Sequence, residues 1–201
     1  MFTDPSINEA LFLDKKYLFM ETPHAPGVVY AEIGRKAKVY KVKNGGKEYA
    51  LKAFKPKYRS KEIVENSGRI AKFADVPGLS VANRFVIMPD NYPKAIENYP
   101  AFAYAVLMPW IEGMSWFNFV SRRTALKRYE SLRLARQFID TVVELEKRGL
   151  AHCDLSSSNF VFLEDFSHVE LIDIEDMFGY DLVLPAEKPK GTKGYVPNWL
   201  K

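Results

Sequence analysis

An aspartate, an asparagine five positions later and a second aspartate after a short apolar run are the residues of this chain best suited to chemistry. They are Asp154, Asn159 and Asp173, the last of which follows Leu171-Ile172. Transfer of a phosphoryl group needs one carboxylate to orient the attacking hydroxyl, and an amide and a second carboxylate to hold magnesium on a triphosphate. Positioning and electrostatics supply most of the catalysis in such reactions. The spacing therefore predicts a phosphoryl-transfer site.

A lysine on an apolar strand is the second candidate for chemistry. The run Tyr49-Ala50-Leu51-Lys52-Ala53-Phe54 predicts a strand in which Ala50 and Lys52 share a face, because side chains alternate along a strand. A lysine that faces inward beside a small alanine is better suited to a ligand than to water. Just before this strand, Asn44-Gly45-Gly46 predicts a hairpin turn, since Asn and Gly tolerate positive φ.

These segments resemble the catalytic motifs of the protein-kinase-like superfamily. The family's catalytic loop reads His-Arg-Asp or His-Gly-Asp, then Leu, with Asn five residues after the Asp. This chain has His152, Asp154, Leu155 and Asn159 in those places. The resemblance implies that Asp154 and Asn159 are catalytic, that Asn159 and Asp173 bind Mg²⁺, and that Lys52 grips the phosphates of ATP. The family's Asp-Phe-Gly motif is reduced to Asp173-Ile174-Glu175.

The resemblance also implies a nucleotide pocket. Residues 31–42 are similar to the family's glycine-rich loop, in which Gly34 is the one glycine kept, and Val39 and Ala50 then line the pocket. Residues 102–108 predict a buried strand that leads into a segment similar to the linker between kinase lobes. On that alignment Met108 lies at the back of the adenine pocket, while the Pro109 carbonyl and the Ile111 amide meet the adenine edge.

Two helices are predicted around these motifs. The first covers residues 59–73, with Ser60 as its cap, and carries Glu62 and Glu65 as alternative partners for Lys52. Glu65 is slightly favoured, because its spacing from Lys52 is nearer to the family's. The second covers residues 124–148, ends at Gly149 and leads directly into the catalytic loop. Between the helices, residues 90–100 suggest an irregular hairpin.

The segment from Gly191 to Pro197 looks like the part of a kinase activation loop that seats a peptide substrate. It implies a protein Ser/Thr acceptor, with Thr192 as an autophosphorylation or substrate-positioning residue. Two departures weaken the likeness to protein kinases: Ser156 stands where they carry Lys, and Glu175 stands where they carry Gly. Kinases of the aminoglycoside and choline type also lack that Lys, so a small-molecule acceptor stays open.

The expected fold is α+β and bilobal, like a bacterial-type Ser/Thr kinase with a shortened C-terminal lobe. Residues 1–107 would form an N-lobe with an antiparallel sheet and an extension over 1–29. Residues 108–201 would form the hinge and a reduced helical C-lobe. The single cysteine, Cys153, excludes an internal disulfide and suits a reducing compartment. Without an apolar run of about 18 residues or a signal-peptide pattern, we expect a cytoplasmic protein with no membrane span.

Three functions compete at this point. The favoured one is a kinase that transfers the γ-phosphate of ATP, with Mg²⁺, to a hydroxyl of a protein or small molecule. The second is a nucleotide-binding pseudokinase or scaffold, which the eroded glycine loop, Ser156 and Glu175 would suit. The third is a nucleic-acid binder, supported only by mild basicity (net charge +4) and scattered aromatics, so we expect no nucleic-acid partner.

Overall fold

The computed structural model describes residues 5–182 and 191–195, and the chain divides into two compact units. The first unit contains Met1–Ala71 and Asn83–Trp110, and the second contains Lys72–Ala82 and Ile111–Lys201. Both contain strands and helices, so the predicted α+β class is confirmed. The bilobal kinase arrangement and the lobe boundary at residue 107 stay predictions. No helix in the described part of the chain combines the length and apolarity that crossing a bilayer requires.

The first unit is an antiparallel sheet with two helices. Its strands are β1 (Ala10–Phe12), β2 (Lys16–Phe19), β3 (Ala31–Ile33), β4 (Ala37–Asn44), β5 (Lys47–Phe54), β6 (Phe85–Val86) and β7 (Val106–Pro109). Its helices are α1 (Glu62–Ile70) and α2 (Pro93–Asn98). The sheet order is β1-β2-β4-β5-β7-β6, and β3 pairs with β4 beside β2. The predicted hairpin between β4 and β5 is confirmed, because Asn44 pairs with Lys47 and the two glycines between them have φ of 54° and 85°.

The core of this unit is aromatic and lies on one face of the sheet. Tyr40 and Leu51 are cross-strand partners, and both are fully buried. Phe102 stacks on Phe19 with ring centroids 5.8 Å apart and meets the Tyr40 ring edge-on at 5.6 Å. The α2 helix covers the same core with Ala95.

The structure corrects two sequence predictions in this unit. The irregular hairpin expected over residues 90–100 is wrong, because Pro93 begins a helix that buries Ala95 against the sheet. The strand expected from residue 102 begins only at Val106, since Phe102 ends a 3₁₀ turn and Tyr104 takes a left-handed backbone (φ 61°).

Helix α1 is shorter than predicted and is capped differently. It covers Glu62–Ile70 instead of 59–73, and the residue at its N-cap is Lys61, without a side-chain capping bond. Ser60 instead bonds the Glu62 carboxylate and lowers its pKa. The helix continues as a 3₁₀ turn to Phe73. Its buried residues are Ser67 and Ile70, which are three positions apart and share one face of the helix.

The described residues of the second unit (72–82, 111–182 and 191–195) form two small sheets and two helices. Its elements are β8 (Met114–Ser115), α3 (Trp116–Ser121), α4 (Arg128–Lys147), β9 (Leu150–Ala151), β10 (Phe160–Phe162), β11 (Val169–Leu171) and β12 (Phe178–Gly179). The sheet orders are β11-β10-β8 and β12-β9. Helix α4 begins four residues later than predicted, because Lys127 is extended and its N–H donates to the Glu130 carboxylate at 2.7 Å. It ends before Gly149 (φ 66°), as expected.

Residues 72–82 belong to this second unit although they precede β6 in the chain. The Leu171 N–H donates to the Gly78 carbonyl at 2.8 Å, which ties the segment to β11. Gly78 has φ +83°, and a Cβ there would lie 2.4 Å from the Thr141 Cγ2 atom of α4. The sequence patterns did not indicate this excursion of the chain.

Candidate functional site

The strand register of the first unit brings four predicted site residues onto one face of the sheet. Val39 pairs with Lys52, and Ala50 pairs with Met108. Paired residues of antiparallel strands point to the same side, and Ala50 and Lys52 are two apart on β5. These four residues define the Lys52 face, which is the opposite face to that of the aromatic core.

The Lys52 side chain is buried in this face. It is only 6% exposed, and the Ala50 and Met108 beside it are similarly buried. Its ammonium lies 5.9 Å from the centre of the Phe54 ring. A buried ammonium on a face of small and apolar side chains is typical of a site for an anionic ligand.

Gly34 lies at the tip of the hairpin between β3 and β4. Its N–H donates to the Ala37 carbonyl at 2.9 Å, so only Arg35 and Lys36 form the turn. A Cβ at position 34 would lie 3.3 Å from the same carbonyl, a close contact that favours glycine. The tip therefore presents two basic residues at the end of the strand that carries Val39.

Glu65 forms an ion pair within its own helix. The Glu65 carboxylate forms an ion pair with Arg69, one turn further along α1, at 2.8 Å, and its side chain is 60% exposed. Glu62 is also exposed, whereas the buried residues of α1 are Ser67 and Ile70. A pairing of either glutamate with Lys52 remains a prediction.

Met108 has a neighbour that the sequence analysis missed. The buried Arg84 donates from Nη2 to the Met108 sulfur at 3.5 Å, which adds a cation beside the Lys52 face. No sequence pattern marked this arginine, since it simply precedes a short strand.

The two other residues predicted to meet adenine follow Met108 in the chain. Pro109 ends β7 opposite Tyr49, and Ile111 begins the second stretch of the second unit.

In the second unit, the predicted catalytic residues Asp154 and Asn159 are hydrogen-bonded to each other. The Asn159 Nδ2 donates to the Asp154 carbonyl at 3.0 Å and to its Oδ2 at 3.2 Å. Thr192 donates from its N–H to Oδ1 at 2.9 Å and from its hydroxyl to Oδ2 at 3.1 Å. Three donors thus hold the two carboxylate oxygens, and two of these donors belong to Thr192, which is 38 positions away.

His152 connects the catalytic loop to the residue before Asp173. It is 2% exposed, and its Nε2 donates to the Ile172 carbonyl at 2.9 Å. Burial lowers the pKa of His152, which favours the neutral ring, and the unprotonated Nδ1 accepts from the Asp154 N–H at 3.4 Å. The Ile172 N–H donates to the Asn159 carbonyl at 3.0 Å. These bonds fix the backbone on both sides of the loop and lead into Asp173, whose φ is 62°.

Ser156 and Cys153 form hydrogen bonds within or next to the loop that carries Asp154. Ser156 is 2% exposed, and its hydroxyl lies 3.0 Å from that of Ser158. Ser158 in turn donates to the Asn159 Oδ1 at 3.4 Å, which orients the amide. Burial raises the pKa of the Cys153 thiol, so it stays protonated at neutral pH.

The side-chain oxygens of Asn159 and Asp173 suit a magnesium ion that is held mainly by the phosphates of a nucleotide. In residues 5–182 and 191–195, no three His, Cys, Asp or Glu side chains gather as a metal cluster. Asn159 and Asp173 offer an amide oxygen and a carboxylate, and Mg²⁺ is typically bound by one or two carboxylates together with substrate phosphates. The predicted positions Val196 and Pro197 lie outside the described residues.

Comparison with known proteins gives a partial likeness to a protein kinase. No protein-family model matches the chain. The chain is similar to the serine/threonine-protein kinase cds1 of Schizosaccharomyces pombe, with 28% identity over 102 residues. The match covers 48% of this chain and 21% of the relative, so the chain spans only about a fifth of that kinase. The similarity supports a relation to protein kinases.

Proposed function

We propose that this protein is an ATP-dependent phosphotransferase of the protein-kinase type. The observation that carries the proposal is the Asp154 carboxylate, which Asn159 and Thr192 hold through three side-chain or backbone donors. A carboxylate preorganised in this way can orient a hydroxyl and accept its proton. The buried Lys52 and the partial likeness to a serine/threonine kinase support the same activity.

Each residue has a separate task in the proposed reaction. Asp154 accepts the proton of the acceptor hydroxyl. The hydroxyl oxygen forms a bond to the γ-phosphorus, and the bond between the γ-phosphorus and the ADP oxygen breaks. Lys52 binds the phosphates, and Asn159 and Asp173 hold Mg²⁺. When bound, the metal neutralises charge on the triphosphate. Gly34, Val39, Ala50 and Met108 would contact the nucleotide.

The acceptor we propose is a serine or threonine hydroxyl of a protein. The Thr192 hydroxyl donates to the Asp154 Oδ2 at 3.1 Å, so an aliphatic hydroxyl of a polypeptide already bonds this carboxylate. A small-molecule hydroxyl is the competing acceptor. Incubation with labelled ATP and Mg²⁺ separates them, since label would appear on a generic protein in the first case and on choline or an aminoglycoside in the second.

A nucleotide-binding pseudokinase is the second candidate function. The Glu65–Arg69 ion pair favours it, because the carboxylate that the kinase resemblance assigns to nucleotide binding is engaged with Arg69. The two functions differ in phosphate turnover and share nucleotide binding. Turnover of ATP by the wild type therefore distinguishes them.

Nucleotide binding is tested by thermal unfolding with and without Mg-ATP. A ligand at about 100 times its Kd stabilises the folded state by about 2.7 kcal/mol. We expect Lys52→Ala to reduce this stabilisation and Asp173→Ala to remove its dependence on Mg²⁺. Lys38→Ala is the matched control, since Lys38 lies on the opposite face of the same sheet and pairs with Ala53. Equal stabilisation of the wild type, Lys52→Ala and Asp173→Ala would show that the assigned residues do not bind ATP.

A further inference from the structure

The connection between α3 and α4 carries four exposed cations. They are Arg122, Arg123, Lys127 and Arg128, and the stretch 116–129 around them contains no acidic residue. In the part of the chain that the structure describes, no carboxylate forms an ion pair with any of these four side chains. The connection is therefore a patch of positive charge on the surface of the second unit.

Two carboxylates close to α4 are held by groups outside the patch. Glu130 accepts from the Lys127 N–H at 2.7 Å and from the Tyr129 hydroxyl at 3.1 Å. Hydrogen bonds from Ser167 hold the pKa of Asp165 below its ordinary value, and the charge of Arg133 adds to this effect. Arg133 thus has a carboxylate near it and is not counted in the patch.

Three of the four cations occupy backbone positions that favour other residue types. Arg123 follows the C-cap of α3 with φ 54°, a left-handed conformation in which glycine is preferred. Lys127 is the N-cap of α4, and its ammonium cannot accept a helix N–H as the side chain of Ser, Thr or Asp does. Arg128 is the first residue of α4, where a positive charge opposes the helix dipole. Such conflicts with local structure are typical of functional sites, and an anionic partner accounts for all three.

The composition of the patch favours a protein as that partner. Phe117 and Val120 on α3 are 57% and 53% exposed, and the Arg123 N–H donates to the Val120 carbonyl at 3.0 Å. Apolar and cationic side chains are thus neighbours, and three of the four cations are arginines. Protein interfaces are enriched in arginine and aromatic residues and depleted in lysine, whereas anionic lipids and nucleic-acid backbones attract lysine and arginine alike. The arginine fork also matches a carboxylate with two parallel hydrogen bonds.

We infer that residues 122–128 are a docking site for an acidic segment of another protein. Its carboxylates pair with the basic side chains, and its apolar side chains pack on Phe117 and Val120. Binding of an isolated segment should be weak and should weaken further with salt, because exposed ion pairs contribute little individually and are screened. The site uses none of the residues proposed for phosphoryl transfer, so its test requires no nucleotide.

Fluorescence anisotropy of a labelled peptide of alternating Glu and Leu, titrated with the full chain, is the first test. The wild type should bind this peptide at least about tenfold more tightly than a peptide in which every Glu is Gln. Single-stranded RNA and vesicles that contain phosphatidylserine are the competing anionic probes. Equal binding of the two peptides, or tighter binding of the RNA or the vesicles, overturns the inference.

The variant Arg123→Gly with Lys127→Ser separates docking from a structural role. Each change removes a cation and introduces a residue type that its backbone position prefers, so Tm should rise, by about 2–4 °C for Lys127→Ser alone. The Kd of the Glu–Leu peptide should rise about tenfold in the same variant. Arg136→Ser is the matched control, because Arg136 is an exposed arginine of α4 whose Nε lies 3.8 Å from the Asp140 carboxylate, and it should leave this Kd unchanged. An unchanged Kd in the double variant, or a lower Tm, overturns the inference.

Discussion

Replacing Glu170 by glutamine tests how the second unit holds residues 72–82. The Glu170 carboxylate is 6% exposed. It accepts from the Ser80 N–H at 2.8 Å, from the Ser80 hydroxyl at 2.6 Å and from the His168 Nε2 at 2.6 Å. Glutamine offers one oxygen and an NH₂ group in place of two oxygens. One oxygen position therefore becomes a donor that faces another donor.

The expected cost follows from these contacts. A hydrogen bond to a charged group contributes about 1.5–3 kcal/mol, and a buried donor left without a partner costs about 1–3 kcal/mol. If the amide keeps its oxygen at the Oε1 position, the Ser80 N–H is the donor that loses its acceptor. We expect Glu170→Gln to lower the free energy of unfolding by about 3 kcal/mol, which corresponds to a Tm lower by about 6–12 °C.

Urea unfolding followed by far-ultraviolet circular dichroism measures the effect, since the longest helix, α4, lies in the same unit. Ser80→Ala removes only the hydroxyl bond and should cost about 1 kcal/mol. Glu164→Gln is the matched control, because Glu164 is an exposed glutamate of the same unit, and should change stability by less than about 0.5 kcal/mol. Stability of Glu170→Gln equal to that of Glu164→Gln would refute the reasoning, because the carboxylate would then not hold the segment.

Three further outcomes follow from the structure. Gly78→Ala should destabilise the protein by about 3 kcal/mol or more, because the new Cβ would lie 2.4 Å from the Thr141 side chain. Gly46 has a similar φ but open space around it, so Gly46→Ala should cost only about 1 kcal/mol. Urea unfolding of both variants measures the difference. Burial lowers the pKa of His152, so His152 binds a proton at higher pH in the unfolded chain than in the folded protein. The free energy of unfolding should therefore decrease as pH falls below about 6.5. Urea unfolding across that range should show a smaller decrease for His152→Gln than for the wild type. Burial raises the pKa of Cys153, so iodoacetamide at neutral pH should alkylate it more slowly in the folded than in the unfolded chain.

Local patterns predicted the parts of the candidate site that depend on local geometry. The alternation of β5 placed Ala50 and Lys52 on one face, and the register with β4 and β7 adds Val39 and Met108. The turn at Asn44 could be predicted because Asn and Gly tolerate the positive φ that a tight hairpin turn requires. The five-residue spacing of Asp154 and Asn159 is short enough for the loop itself to bring them together.

Contacts between distant parts of the chain could not be predicted in the same way. The excursion of residues 72–82 depends on the bond between Ser80 and Glu170, 90 positions apart. The prediction of an irregular hairpin over residues 90–100 is wrong because packing against the aromatic core stabilises α2 there. The slight preference for Glu65 over Glu62 rested on spacing alone, which could not indicate that the Glu65 carboxylate pairs with Arg69 one turn further along α1.

Transfer of labelled γ-phosphate by the wild type and by Asp154→Asn tests the proposed activity most directly. Asn keeps the shape of Asp154 and its bonds to neighbouring donors in part, but it cannot accept the proton of the acceptor hydroxyl. We expect Mg-ATP binding to survive in the variant while transfer to a protein acceptor falls by about 10²- to 10⁴-fold. Asp165→Asn, at an exposed aspartate that bonds Ser167, should transfer phosphate like the wild type. Wild-type transfer no faster than that of Asp154→Asn would contradict the account and leave a nucleotide-binding pseudokinase.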